Sequence, residues 1–253
     1  MKRKIHVLTH KEEVQPERLT QCTVIVIDVL LATTTIALAL RHGAKEVIPV
    51  QGESEARRIH TDLADPSSLL CGESGGYTID GFHNPNPASL LSCSLADRRL
   101  ILATTNGTVA LEACRTAKRL YTSSLVNGAA VAHYIRGDTE EGSIVIVCSG
   151  SNGRFALEDF LGAGSLISHL LYENEQEWQL SDAAIAAHAL YTSNEAEQLA
   201  ALLQRTETAQ LLQTLGYADA IEYAAQVDSI NVVPRWIHGR LTNMQHTYPP
   251  AYM

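Results

Sequence analysis

The stretch Thr23-Val24-Ile25-Val26-Ile27-Asp28-Val29-Leu30-Leu31-Ala32-Thr33-Thr34-Thr35-Ile36 decides the fold of this chain. Its first five residues are an unbroken β-branched run, the pattern of a strand buried on both faces, and the run stops at a carboxylate. Three threonines then open a segment with apolar residues at helical spacing, which Gly43 closes. Such a strand-to-helix junction sets a hard oxygen ligand beside hydroxyl and backbone N–H donors, a combination suited to phosphate and a divalent cation. Capping of the helix start accounts for the threonine hydroxyls equally well.

The same alternation continues along the chain. Residues 24–27, 47–50, 69–71, 100–104, 120–122 and 144–148 read as strands, and 34–42, 53–63, 108–117 and 126–135 as helices. This predicts a three-layer α/β/α fold with a largely parallel or mixed sheet. From Phe155 the pattern becomes helix-rich, with segments at 183–191, 194–203, 208–215 and 218–225, and one strand at 229–233 returning to the sheet. The expected division is an α/β core over 1–154 bearing a strand-end anion site, and a helix-rich portion over 155–253. Residues 72–87, crowded with Gly and Pro, form a loop too long for a plain connector.

The chain has 253 residues, of which 45% are hydrophobic and 19% charged, enough to bury a large core. Its net charge of -9 leaves no basic excess for a nucleic-acid backbone, so no nucleic-acid partner is expected. The basic start Met1-Lys2-Arg3-Lys4 lacks the apolar stretch of a signal peptide, and no run reaches membrane-spanning length. A cytoplasmic protein with no membrane partner is the expectation, with a homodimer as the prior for oligomeric state. Five cysteines without a Cys-x-x-Cys pair indicate neither a disulfide scaffold nor a zinc knuckle.

Three further constellations sit at strand ends. Thr104-Thr105-Asn106-Gly107-Thr108 follows the strand at 100–104 and opens a helix, so its side chains and backbone N–H groups offer an anion nest or a plain turn with a cap. Cys148-Ser149-Gly150-Ser151-Asn152-Gly153-Arg154 follows the strand at 144–148, with Glu158 and Asp159 on the next helix. Arg154 suits a bidentate grip on phosphate, and either acidic residue suits Mg²⁺, although adjacent helical positions diverge. This segment also has the Cys-x-x-x-x-x-Arg spacing of cysteine-dependent phosphatases, with Val147 where those enzymes carry a thiol-activating histidine. The fourth constellation is the loop containing Glu73, Gly75, Gly76, His83, Asn84 and Pro85, in which Glu73 is a candidate ligand. No Walker A, dinucleotide fingerprint or His-Glu-x-x-His is present. In an open α/β sheet the strand-end sites share one carboxyl edge, so these constellations are expected to meet in one crevice.

Together, Val26-Ile27-Asp28-Val29-Leu30, Ala32 to Ile36, Gly72-Glu73, Gly75-Gly76, Thr104 to Thr108, Cys148 to Asp159 and Asn231-Val232-Val233-Pro234 resemble the 2-phosphosulfolactate phosphatase family over most of the chain. The resemblance implies an α/β fold and Mg²⁺-dependent hydrolysis of 2-phosphosulfolactate or a related 2-phospho-hydroxy acid. Three positions depart from the pattern: Leu31 stands for an arginine in Asp-Val-Leu-Arg-Ala-Thr-Thr-Thr, Ser74 for an arginine in Gly-Glu-Arg-Gly-Gly, and His83 for the aspartate of Gly-Phe-Asp.

The expected site therefore has Asp28 and Arg154 as catalytic groups and Asp28, Glu73, Glu158 and Asp159 as Mg²⁺ ligands. Thr33, Thr34, Thr35, Thr105, Asn106, Gly107, Thr108, Ser149, Gly150 and Gly153 would cradle a small phosphorylated organic acid. The alternatives are a family member that has kept the anion cleft but lost hydrolysis, and a thiolate phosphatase using Cys148.

Overall fold

All five residues of the Thr23–Ile27 run are buried, and their side chains divide by parity. Val24 and Val26 enter one apolar core while Ile25 and Ile27 enter another on the opposite face. A strand apolar at every position is thus one sheathed on both sides, as a three-layer fold requires. Fully burying each such side chain contributes about 1.5–3 kcal/mol.

The computed structural model of the chain describes residues 3–137, 142–172 and 175–244; Met1 and Lys2 of the basic start, and 245–253 of the helix-rich portion, lie outside the described residues. Its strands are β1 (Arg3–Leu8), β2 (Thr23–Ile27), β3 (Glu46–Val50), β4 (Leu69–Ser74), β5 (Tyr77–Thr78), β6 (Arg99–Ala103), β7 (Arg119–Ser123), β8 (Ile144–Cys148), β9 (Trp178–Leu180), β10 (Pro234–Ile237) and β11 (Arg240–Asn243). The helices are α1 (Ala32–Arg41), α2 (Glu53–Leu63), α3 (Pro87–Leu91), α4 (Gly107–Ala113), α5 (Gly128–Arg136), α6 (Leu157–Leu171), α7 (Asp182–Thr192), α8 (Ala196–Gln204), α9 (Glu207–Thr214) and α10 (Ala218–Ala224). The α/β alternation stands as expected. Three expectations change.

First, the basic start belongs to the sheet: β1 pairs in parallel with β8, burying Ile5 and Val7 while Lys4 and His6 face outward. Second, residues 229–233 form no strand. That segment is tied to the turn after β7 through Ile230 N–H to Val126 O at 2.8 Å and Asn127 Nδ2–H to Val232 O at 3.0 Å. Third, the single strand expected beyond Phe155 is replaced by three, β9, β10 and β11. β10 and β11 make a hairpin whose two-residue turn, His238-Gly239, has positive φ at both positions, as a type I′ turn demands.

The sheet order is β5-β4-β6-β3-β11-β10-β7-β2-β8-β1-β9. The hairpin lies between two groups of strands, and its antiparallel ladder to each has a single registered pair, Leu241 with Val47 and Arg235 with Tyr121. Four strands thus separate β6 from β2, which in a flat sheet would set them roughly 24 Å apart. Yet Gly107, just past β6, lies so close to the residue after β2 that a methyl group on it would sit 2.6 Å from Asp28 Oδ2. The segments that follow β6 and β2 therefore meet at the carboxyl edge, with α1 and α4 packed in a core to which strands of both groups contribute. The helix-rich portion is continuous with this body: α6 packs against the sheet in the same core as β1, β2 and β8, and α7 to α10 extend that core.

Candidate active site

Four strand ends converge where the two groups meet. Asp28 follows β2, Glu73 lies near the end of β4, Thr104 to Asn106 follow β6, and Ser151 with Asn152 follow β8; all line one cleft of about 680 Å³ including its open mouth. The roof comes from Thr208, Leu211 and Leu212 of α9 and from Tyr217, and the near wall from Leu30, Leu31, Asn84 and Pro85. Thr35 Oγ1 donates to Pro85 O at 2.7 Å, and Asn86 Nδ2 donates to Asp219 Oδ1 at 3.0 Å, fixing the 84–86 loop between α1 and α10.

Glu73 is held by three donors on two loops: Thr105 N–H at 2.7 Å, Thr105 Oγ1–H at 3.0 Å and Gly76 N–H at 2.7 Å. Gly75 and Gly76 both have positive φ, the conformation that folds this turn back onto its own carboxylate. Asp159 does the same for two other strand ends, accepting from Val29 N–H at 2.9 Å and from Gly150 N–H at 3.0 Å. Asp28 accepts a long bond from Ala32 N–H at 3.4 Å. Among the described residues no hydrogen bond reaches the carboxylate of Glu158, and no Lys, Arg or His forms an ion pair with any of the four.

Burial of these acids carries a clear electrostatic signature. Burial first, then the charges of Glu73 and Glu158, push Asp28 up to about 7 against the opposing pull of Ala32 N–H and Lys11. Burial, then Asp28 and Glu158, likewise push Asp159 well above the usual carboxylate range. Asp28, Glu158 and Asp159 are only 6%, 3% and 2% exposed, so adjacent helix positions Glu158 and Asp159 are both interior. Neither of those two lines the cleft; both lie behind Asp28. No three carboxylate, imidazole or thiol groups converge into a ready-made metal cage among the described residues. The donor set is nonetheless all hard oxygen with excess negative charge, the chemistry that fits Mg²⁺, which is commonly held by one or two carboxylates plus substrate phosphate.

Several expected residues take other places. Thr33 Oγ1 donates to Asp28 O at 2.8 Å, Thr34 Oγ1 to Val29 O at 2.8 Å, and Thr108 Oγ1 to Thr104 O at 2.9 Å. With Thr35 they are fully buried and absent from the cleft wall, so these hydroxyls satisfy the backbone at the helix starts rather than a ligand. Thr105 and Asn106 do line the cleft, and Gly107 permits the close approach of α4 to Asp28. Ser149 is buried and Gly150 is committed to Asp159, while Gly153 is exposed. Arg154 does not line the cleft. Asn152 and Gly153 both have positive φ, and the reversal they make carries Arg154 to the surface, where it pairs with Glu207 at 3.1 Å.

Cys148 is fully buried and does not line the cleft; burial foremost, then Asp159, Glu13 and Glu158, holds its thiol well above the ordinary value. A thiolate nucleophile needs the opposite setting, which removes the cysteine mechanism. Of the three departing positions, only Leu31 lines the cleft. Ser74 is exposed, and exposed His83 sets Nδ1 3.4 Å from Cys93 Sγ.

Sequence reasoning missed two contributors. Lys11, just beyond β1, donates from Nζ to Asn106 Oδ1 at 2.9 Å and to Ser149 O at 3.4 Å, and pairs with Glu12 at 3.2 Å. Recognising β1 would have exposed it as a fifth strand-end residue. The α9 roof had no such signal.

The family model for 2-phosphosulpholactate phosphatase matches residues 8–239. A Clostridium novyi protein named "Probable 2-phosphosulfolactate phosphatase" is 31% identical over 94% of this chain and 99% of its own length. Proteins of the same name from Carboxydothermus hydrogenoformans and Gloeobacter violaceus are 37% and 38% identical, over 91% and 89% of this chain and 92% of each relative. Matched along nearly its whole length, through the strand ends that build the cleft, this chain belongs to the 2-phosphosulpholactate phosphatase family.

Proposed function

We propose that this chain is a Mg²⁺-dependent phosphatase acting on a small phosphomonoester in the sheet-edge cleft. The observation that carries the reading is the set of four carboxylates, Asp28, Glu73, Glu158 and Asp159, gathered at the meeting of the strand ends with no paired cation among the described residues. Buried like charges are costly unless a cation offsets them, and such arrangements concentrate at functional sites. The names of relatives that span the chain support phosphomonoester hydrolysis.

Asp28 and Glu73 would hold the ion from the cleft wall, with Glu158 and Asp159 reinforcing the negative field behind Asp28. Bound Mg²⁺ supplies Lewis-acid neutralisation of charge on the phosphoryl oxygens. Thr105, Asn106, Ser151 and Asn152 would position those oxygens by hydrogen bonding. Because Lys11 Nζ already occupies Asn106 Oδ1, the amide N–H₂ of Asn106 is left to donate. Asp159 keeps the Val29 and Gly150 amides in place, and the α9 roof restricts water around the reacting group.

The test is release of inorganic phosphate by the purified chain from phospholactate and an aryl phosphate, with Mg²⁺, with EDTA, and after Mg²⁺ is restored. Activity that needs Mg²⁺ and returns with it is expected. Saturable phosphate binding without turnover of either compound would replace this reading with that of an anion-binding family member.

A further inference from the structure

No lysine, arginine or histidine lines the cleft among the described residues. Lys11 instead bonds to a residue that does line it, Asn106, and its side chain is only 11% exposed. Its Nζ donates to Asn106 Oδ1 at 2.9 Å and to Ser149 O at 3.4 Å and meets Glu12 Oε1 at 3.2 Å, so each of its three N–H groups has an acceptor.

Asn106 follows β6 and Ser149 follows β8, and β3, β11, β10, β7 and β2 lie between those strands in the sheet. One ammonium group thus ties together two strand ends that no ladder joins. The Ser149 side of the tie is firmly held. Lys11 N–H also donates to Ser149 O at 3.3 Å, Ser149 N–H donates to Ile27 O at 2.8 Å, and Gly150 N–H donates to Asp159 Oδ2 at 3.0 Å. A methyl group on Gly150 would sit 2.8 Å from His10 Cβ, so the segment bearing Lys11 lies against the turn that leads to Ser151 and Asn152.

The Asn106 side carries the chemistry. Asn106 holds the N-cap position of α4, where an asparagine side-chain oxygen ordinarily accepts a backbone N–H of the first turn. It makes no such bond; Thr104 Oγ1 accepts from Thr108 N–H at 3.1 Å, and Asn106 Oδ1 is given to Lys11. An ammonium group can only donate, so it fixes which end of the carboxamide faces it and leaves Nδ2 to donate to a ligand. The reverse orientation would turn a carbonyl oxygen toward phosphoryl oxygens, a repulsive contact in place of a hydrogen bond.

We propose that Lys11 is a positioning residue for phosphate: without touching the ligand, it orients the Asn106 amide and holds the Thr104–Asn106 turn against the Ser149–Asn152 turn. For turnover the proposal rests on the phosphatase reading above; for phosphate binding it rests on the cleft alone.

The test is a double-mutant cycle on the full chain with Mg²⁺ present, read by kcat/KM for phospholactate and by calorimetric binding of inorganic phosphate. Lys11→Met and Asn106→Ala should each weaken both at least ~10-fold, the worth of one charged hydrogen bond. Because Lys11 acts through Asn106, adding Lys11→Met to Asn106→Ala should cost no more than about twofold further. Asn106→Asp keeps an acceptor for Lys11 and removes the N–H₂, so it should bind phosphate as poorly as Asn106→Ala. Losses that multiply in the double variant, a Lys11→Met effect confined to melting temperature, or wild-type phosphate binding by Asn106→Asp would overturn the proposal and leave the phosphatase reading intact. Phosphate binding that depends on Lys11 through Asn106, with no turnover by the wild type, would uphold the positioning role and overturn the phosphatase reading.

Discussion

The two ends of this sheet treat buried acid groups in opposite ways. At the amino end, Glu46 opens β3 and is 6% exposed, yet its Oε1 accepts from Arg99 Nε at 2.8 Å and Arg240 Nη1 at 2.9 Å, and Arg99 also pairs with Asp65. At the carboxyl end, Asp28, Glu158 and Asp159 are as deeply buried with no ion pair among the described residues. One end has its charge balanced within the fold and ties β3, β6 and β11 together. The other has no such counter-charge among the described residues, and burial with mutual repulsion raises Asp28 and Asp159 toward their protonated forms. The contrast distinguishes the two ends on physical grounds, since an acid left unbalanced in a low-dielectric setting costs stability while a paired one is held by the fold.

Substituting one acid at each end should produce opposite phenotypes. Asp28→Asn is expected to reduce Mg²⁺-dependent turnover by roughly 10²–10³-fold, because it weakens charge stabilisation at the reacting phosphate. The same variant should melt at an equal or higher temperature than wild type in Mg²⁺-free buffer at pH 8, as it removes one of the mutually repelling acids. Retained turnover, or a marked loss of stability, would place Asp28 with the structural carboxylates. Glu46→Gln should lose roughly 1–3 kcal/mol of stability in urea titration, discounted because both arginines are partly exposed. Its kcat/KM should stay within about twofold of wild type. A larger kinetic effect would show that the two ends are not independent.

The pH dependence follows from the raised value of Asp28, about 7 against 3.8 in an unstructured chain. A carboxyl raised on folding favours the folded state below its unfolded value, and that contribution is lost as pH rises from about 4 to about 7. Mg²⁺ binds the ionised form, so its stabilising shift in melting temperature should be larger at pH 8 than at pH 5.5 and should vanish with EDTA. A shift of equal size at both pH values would remove the ionised acids from the binding site. The smallest effect belongs to Cys148→Ser: turnover within about twofold of wild type, with any cost confined to stability through burial of a hydroxyl.

The long-range logic of the fold was partly open to reading. β2, β6 and β8 announce themselves because strands covered on both faces are apolar at nearly every position, and β3 and β7 carry shorter runs of the same kind. β1 does not, since Lys4 and His6 alternate with Ile5 and Val7 and the segment reads only as a basic start; with it went Lys11. The β10–β11 hairpin is hidden by a turn of His238-Gly239 in place of the usual Asn-Gly. At the site, Asp28, Glu73, Thr105 and Asn106 were visible as strand-end residues. Thr33, Thr34, Thr35 and Thr108 looked equivalent to them, and only hydrogen-bond partners show that their hydroxyls serve the backbone. Arg154 sat at a suggestive spacing, but the turn at Asn152-Gly153 directs it outward.

The sequence by itself determined the α/β layering, the carboxyl-edge position of the candidate acids and the family, because burial pattern and strand-end chemistry are local properties of the chain. Tertiary structure alone decided that the turns after β2 and β6 touch across four intervening strands, that the four carboxylates share one field, and that α9 supplies an apolar roof. Those facts depend on which segments from distant strands meet in space and on which side chains then touch. Electrostatic and hydrophobic energies depend on distances in space, and spacing along the chain does not fix them.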